Sequence, residues 1–354
     1  MHLPGPSFAR KIVLWQKRHG RHQLPWQRTR DPYAVWLSEV MLQQTQVSTV
    51  LEYFERFIHR FPDVHNLARG RLDEVLTLWS GLGYYSRARH LHRCAQEVVE
   101  RWGGQFPSTA AELMSLPGIG RSTAAAIAVF CFGQREAILD GNVRRVLARV
   151  LAYGADLSVA AHERALWDAA VTLLPDTNQA ASLASYTQGL MDLGSSICSV
   201  RQPKCTLCPV QTLCQGHLSN QASAYPVKLR RTKRSTAQWW LLKAQTRSGE
   251  IWLTQRPSPG VWAGLYCLPW FDSMDQLFAA VPAHYRDRVQ STSSVRHALT
   301  HKELLLHFVV VQLPRTMPPV MATGSAGATA RGAWYTPADW AALGLPAPVR
   351  KFLM

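Results

Sequence analysis

Through the first part of the chain, apolar residues recur at spacings of three, four and seven, the period of a helix packed against a core. Phe8, Ile12 and Trp15 mark a first helix over 8–17. A basic polar loop follows and ends at Leu24-Pro25-Trp26. Asp31-Pro32 is a strong helix start, with Asp as N-cap and Pro in the first turn. From there one stripe runs through Trp36, Val40, Val47, Leu51, Phe54 and Ile58 and predicts one helix from Pro32 onward. Gly81-Leu82-Gly83 is a glycine turn into another helix. Leu116-Pro117-Gly118-Ile119-Gly120 is a second such turn. Pro117 and Gly118 stop one helix, and Ser122-Thr123 opens the next, whose Ala124, Ala125, Ala126 and Ala128 permit close packing. The helical texture continues to about Leu193, with no alternating strand pattern.

After Ser235 the texture changes. Trp239–Ala244, Ile251–Gln255 and Leu304–Leu313 are short apolar runs rich in aromatic and β-branched residues, separated by Pro and Gly. They read as strands of a small α+β domain. The expected organisation is a helical domain over 1–219, a linker over 220–235 and an α+β domain over 236–354. The linker is polar, then basic through Lys228, Arg230, Arg231, Lys233 and Arg234.

A chain of 354 residues can hold two such cores. Its net charge of +16 points to a polyanion, most often nucleic acid. An anionic membrane is the weaker alternative, because no basic amphipathic stretch stands apart from the cores. The start, Met1-His2-Leu3-Pro4-Gly5-Pro6, has no apolar signal core, and no apolar run is long enough to cross a bilayer. Seven cysteines, four of them crowded together, favour a reducing compartment and a metal site over disulfides. The expected setting is the cytoplasm, on the nucleoid, as a monomer.

Three places carry candidate chemistry. At the Gly118–Gly120 turn, free N–H groups and the positive helix end suit a phosphate, and Arg121 adds a charge. An ordinary helix corner is the plain alternative. The turn before Ser86 interleaves Tyr84 and Tyr85 with Arg87 and Arg89, rings for stacking beside cations for phosphate, or else a helix start capping the core. Cys198, Cys205, Cys208 and Cys214 follow as Cys-x6-Cys-x2-Cys-x5-Cys. Zinc is one reading of four thiolates. The uneven spacing, with Arg201 and Lys204 between the first two, suits an iron–sulfur cube whose basic flank meets DNA. Cys94, Cys131 and Cys267 are isolated and read as buried.

Leu-Pro-Gly-x-Gly at 116–120, with Asp140 about a helix length later, resembles the helix–hairpin–helix DNA glycosylases. Ser38-Glu39-Val40-Met41-Leu42-Gln43-Gln44-Thr45 and the cysteine quartet narrow the likeness to the MutY family of adenine DNA glycosylases, over nearly the whole chain. The resemblance implies an all-α helix–hairpin–helix domain with a [4Fe-4S] loop, then a Nudix-like domain. It implies base-excision repair of adenine mispaired with 8-oxoguanine or guanine in double-stranded DNA. Glu39 and Asp140 match the catalytic carboxylates, and Asn142 matches the residue that places water near Asp140. Gln43 and Tyr84 match residues that enter the duplex; Trp26 and Gln188 match residues of the adenine pocket. Gly118, Gly120, Arg121 and Ser122 match the DNA-binding hairpin.

The chemistry also stands without the family. Adenine leaves its sugar badly unless its ring is protonated, so an acid must hold its proton near neutral pH. Glu39 lies among Trp36, Leu37, Val40 and Met41, where burial raises a carboxyl. Asp140 precedes a helix whose N–H groups favour the anion. The plain alternatives are an exposed Glu39 and an Asp140 that is only an N-cap. Ser122 stands where lyase-type relatives carry a Schiff-base lysine, which predicts a monofunctional enzyme leaving an abasic site. The family's Phe-Ser-His recognition loop appears here as Leu299-Thr300-His301, without the aromatic ring. Gly260–Tyr266 matches a turn of the same Nudix-like domain, and no Arg-Glu-x-x-Glu-Glu box is present to hold magnesium. Gln27 stands where some members have arginine. The competing readings are an endonuclease III-like pyrimidine glycosylase/lyase and a non-catalytic iron–sulfur DNA-binding protein.

Overall fold

The computed structural model describes residues 3–229, 234–319 and 332–354. Met1, His2, Arg230, Arg231 and Lys233 lie outside them, so the middle of the basic linker is not described. The chain divides into two compact units, one of 1–68 with 93–231 and one of 69–92 with 232–354. A short early segment thus groups with the C-terminal part of the chain.

The helices of the first 230 residues are α1 (Ser7–His19), α2 (Pro32–Leu42), α3 (Val47–Arg60), α4 (Val64–Arg69), α5 (Leu72–Leu78), α6 (Ser86–Trp102), α7 (Ala110–Leu113), α8 (Arg121–Phe132), α9 (Gly141–Val150), α10 (Ala160–Thr172), α11 (Ala180–Ser196) and α12 (Gln215–Leu218). No strand precedes Ser235 among the described residues. In the first unit α11 is central and packs on α1, α8 and α9, while α2 packs on α8. Phe8 and Ile12 of α1, Leu147 of α9 and Leu190 and Leu193 of α11 share one core. Asp31 caps α2, accepting the Tyr33 N–H at 3.0 Å, as the Asp-Pro pair predicts.

The stripe from Pro32 is two helices, not one. α2 stops at Leu42, Gln44 takes a left-handed φ of 60°, and α3 begins at Val47. The run Gln43-Gln44-Thr45-Gln46 has no apolar anchor, so nothing holds the helix across it. The phase then restarts: Val50, Phe54 and Phe57 are buried in α3, while Val47, Leu51 and Ile58 are only half-buried. α2 is buried almost all round, because α3 and α8 both pack on it.

The second unit is built on a mixed sheet. Its strands are β1 (Ser235–Gln245), β2 (Ile251–Gln255), β3 (Tyr266–Cys267), β4 (Trp270–Phe271), β5 (Gln290–Ala298), β6 (Lys302–Gln312) and β7 (Gly332–Tyr335), in the order β3-β2-β1-β6-β5. β4 pairs with β1, and β7 with β2. β1 and β6 run parallel, in register from Ser235 opposite Lys302 to Gln245 opposite Gln312. The three predicted runs are β1, β2 and β6. β5 escapes the pattern because its face is polar and exposed. Helices α13 (Met274–Ala280), α14 (Pro337–Ala341) and α15 (Ala347–Leu353) complete the unit. Leu242, Phe271, Leu277 and Val309 belong to its core.

Candidate active site

Glu39 sits in the last full turn of α2, partly buried, on the wall of a cavity of about 370 Å³. That volume is in the range of ~300–1,000 Å³ usual for small-ligand sites. Trp26, Gln27, Arg21 and Gln188 line the same cavity. Burial pushes the Glu39 carboxyl from an ordinary 4.5 up to about 8, and the nearby Asp140 charge adds to the rise. A carboxyl so placed keeps its proton at neutral pH. Trp26 is buried and packs edge-on against Phe54, 5.2 Å between ring centres. The Gln27 Oε1 accepts the Leu24 N–H at 3.3 Å.

Asp140 does cap a helix, as its plain reading says, and it also lies beside Glu39. Its Oδ1 accepts the Val143 N–H of α9 at 2.7 Å. Burial leaves this carboxyl above its usual range, against the weaker pull of the Val143 and Asn142 N–H groups and then of Arg145 and Arg144. Neighbouring acids thus sit in opposed settings, one unsupported, one held by amides and cations.

The hairpin before Asp140 follows its sequence closely. Gly118 takes a left-handed φ of 78°, and α8 starts at Arg121 behind an extended Gly120. A Cβ on Gly120 would meet nothing within 4 Å, so the helix end is open to a ligand. Arg121 is exposed and stacks over Trp167 at 4.0 Å. Ser122 Oγ accepts the Leu139 N–H at 3.0 Å, which ties the start of α8 to the residue before Asp140. Gln43, just past α2, donates to Thr123 Oγ1 at 3.3 Å.

Two buried arginines were not legible as site residues. Arg145 is 9% exposed; it donates to Asn142 Oδ1 at 2.9 Å, to the Gly194 carbonyl at 2.6 Å and to the Cys198 carbonyl at 2.8 Å. Arg149, 2% exposed, donates to Cys198 Sγ at 3.3 Å and to the Ser199 and Val200 carbonyls. Their signal was available: two cations one turn apart inside the apolar stretch Val143–Val150. Gly194 allows the approach, since a Cβ there would lie 2.7 Å from the Asn142 Cβ.

Cys198, Cys205, Cys208 and Cys214 all line one cavity with Arg149. Burial raises the thiols of Cys205, Cys208 and Cys214, and other cysteines of the quartet add to each rise. Among the described residues no three His, Cys, Asp or Glu side chains are grouped as a single metal ion would need. Cys94 and Cys267 are buried as expected, whereas Cys131 is half-buried.

In the second unit, Tyr84, Thr300 and His301 line one cavity with Trp262 and Arg89. Tyr84 is 44% exposed. The two arginines of its turn are not free for phosphate. Arg87 is 8% exposed, donates to the Leu82 and Gly83 carbonyls at 3.2 Å and stacks on Trp79 and Tyr84. Arg89 donates to the Ala263 carbonyl at 2.9 Å.

A family profile described as HhH-GPD superfamily base excision DNA repair protein matches residues 37–170, and a NUDIX domain profile matches 239–354. An adenine DNA glycosylase of Buchnera aphidicola subsp. Baizongia pistaciae (strain Bp) is 33% identical over 353 residues, covering 98% of this chain and 95% of its own. The chain belongs to the adenine DNA glycosylase family. A family member from Rattus norvegicus is 45% identical over 220 residues, 60% of this chain and 42% of the rat protein. Among solved structures, a thermostable thymine-DNA glycosylase is similar over 60% of this chain and 96% of its own, with TM-score 0.53 and 28% identity. A non-covalent endonuclease III–DNA complex shares the helical fold at TM-score 0.50 and 20% identity. No helix among the described residues is long and apolar enough to cross a membrane.

Proposed function

We propose that this chain excises adenine from double-stranded DNA in base-excision repair, where adenine is mispaired with 8-oxoguanine or guanine, by hydrolysing the bond from the base to its sugar. One observation carries the reading: a carboxyl raised to about 8 on the wall of the cavity, with the charge of Asp140 acting on it. The extruded adenine enters that cavity beside Trp26 and Gln188. Glu39 gives its proton to a ring nitrogen of the base. The glycosidic bond breaks and its electron pair leaves with adenine. Asp140 faces the positive charge left on the sugar, as the anionic carboxylate does in glycosidases. Water, placed by Asn142, adds hydroxide to the sugar carbon and returns a proton to Glu39.

Ser122 has no amine, and its hydroxyl already accepts the Leu139 N–H. The product is therefore an abasic site, with no Schiff base and no strand cleavage. Thr300 and His301 read the base opposite adenine, with Tyr84 in the same cavity. Gln43 and Tyr84 enter the duplex. Gly118, Gly120 and Arg121 hold its phosphates. The cofactor is [4Fe-4S], which Cys198, Cys205, Cys208 and Cys214 would hold; four thiols around one cavity fit it. When bound, it supplies the iron–thiolate bonds that close the loop. Val200 and Leu207 in that loop are 66% and 63% exposed, so apolar packing alone does not hold it.

Single-turnover excision on duplexes pairing adenine with 8-oxoguanine, guanine or thymine tests the reading. Fast release of adenine opposite the first two, slow release opposite thymine, and no adduct under borohydride are expected. A stoichiometric trapped enzyme–DNA adduct points instead to the lyase class. Binding with no release from any duplex points to a DNA-binding protein.

A further inference from the structure

Among the described residues five that are not glycine take a left-handed backbone, and two of these are aromatic: Tyr84 at φ 48° and Trp262 at φ 59°. Both line one cavity of about 790 Å³, together with Thr300 and His301. A bulky side chain rarely accepts this backbone, and where it does the surroundings must hold it. Here arginines hold it, each on a carbonyl beside a strained residue. Arg87 donates to the Gly83 carbonyl at 3.2 Å, just before Tyr84. Arg256 Nε donates to the Val261 carbonyl at 3.3 Å, just before Trp262. Arg256 is 8% exposed and seated over Trp270 at 4.4 Å and Trp239 at 5.5 Å. Arg89 Nη1 donates to the Ala263 carbonyl at 2.9 Å, just after Trp262. Arg87 and Arg256 act within their own turns. Arg89 leaves α6 soon after Tyr84 and ends on the loop of Trp262, 174 positions along the chain.

We propose that Arg89 is a positioning residue for the base opposite adenine: it ties the Trp262 wall of the cavity to the turn that carries Tyr84, and the choice of 8-oxoguanine over guanine depends on that tie. This rests on the adenine reading above. The two bases differ only by an oxygen on C8 and a hydrogen on N7. Telling them apart takes contacts fixed to about 0.5 Å. Three separate segments frame the cavity: the turn before α6 with Tyr84, the loop between β2 and β3 with Trp262, and the turn between β5 and β6 with Thr300 and His301. No one of them sets the spacing of the others. Without Arg89 the Ala263 carbonyl loses its donor, Trp262 relaxes toward an ordinary φ, and the walls drift apart independently. Guanine and 8-oxoguanine then fit more nearly alike.

Single-turnover release of adenine opposite 8-oxoguanine and opposite guanine, in otherwise identical duplexes, tests the tie. Arg89→Ala should lower the ratio of the two rates about fivefold, the worth of one hydrogen bond. Arg89→Lys keeps the charge and one donor, and should keep part of the ratio; it also serves if Arg89→Ala fails to fold. Glycine accepts a φ of 59° without strain, so Trp262→Gly needs no tie. It loses the ring and lowers the ratio itself, but adding Arg89→Ala should lower it no further. Equal slowing on both duplexes, a full second loss in the double variant, or a wild type equally fast on both overturns the inference alone. A wild type that releases adenine from neither duplex overturns the adenine reading itself.

Discussion

Glu39 owes its raised carboxyl first to burial and second to Asp140, and that order makes separate predictions. As a proton donor it must be protonated while Asp140 must be charged, so the excision rate should fall as pH rises through about 8 and fall again at acid pH as Asp140, raised by burial, takes up its proton. Glu39→Gln should lose about a hundredfold or more in single-turnover rate while still binding the duplex. The same raised value is a statement about stability. Between an ordinary 4.5 and about 8 the folded chain holds a proton that the unfolded chain has released. Stability therefore falls as pH rises across that window. Glu39→Gln removes this loss, so its melting temperature should match the wild type near pH 4.5 and exceed it at pH 8. The gain should be on the order of 2 kcal/mol, allowing for the cavity's access to water. Equal melting at both pH values would show that Glu39 is solvated like any surface acid.

The site hangs on two joints between helices. One is Ser122 Oγ to the Leu139 N–H, between the start of α8 and the residue before Asp140. Ser122→Ala leaves that N–H without its partner, which should cost about 1 kcal/mol by denaturant titration. Excision should slow by more than binding weakens, because Asp140 is less firmly placed. The other joint is α9 itself: Arg145 grips Asn142 at its N-terminal end and the Cys198 carbonyl alongside. How much of this is legible in sequence varies by kind of interaction. The caps at Asp31 and Asp140 need only local chemistry, and both are found where the residues say. The break after Leu42 is hidden because apolar positions keep a helical spacing across four polar residues, and periodicity alone does not see a lost turn. Arg87 and Arg89 look like phosphate ligands from their neighbours in sequence; their true partners are carbonyls, which have no sequence identity to read.

A linear division of the chain at a linker after residue 219 makes the helical part look separable, yet the compact units say otherwise. Residues 69–92 belong with 232–354. Within that unit Leu76 is 1% exposed, and a Cβ on Gly344 would lie 3.2 Å from its carbonyl carbon. The Ser80 and Tyr85 hydroxyls donate to the Leu345 carbonyl at 3.2 and 3.3 Å, and Arg89 reaches the Ala263 carbonyl. Ending the chain at 231 removes all of these at once. It bares Leu76, at about 2 kcal/mol for one such side chain, and strands two hydroxyls and a guanidinium. The turn at Gly83 and Tyr84 then keeps its Arg87 contacts and the Trp79 indole N–H bond to the Gly83 carbonyl at 3.1 Å. Such a fragment should melt several degrees below the full chain, with the new exchange in its amide hydrogens concentrated in 69–92. Adding Leu76→Ser should recover solubility of the fragment but not order in that segment. If 69–92 instead exchanges as slowly in the fragment as in the whole, its structure comes from local helix propensity, and the C-terminal part could be removed without disturbing the turn that carries Tyr84.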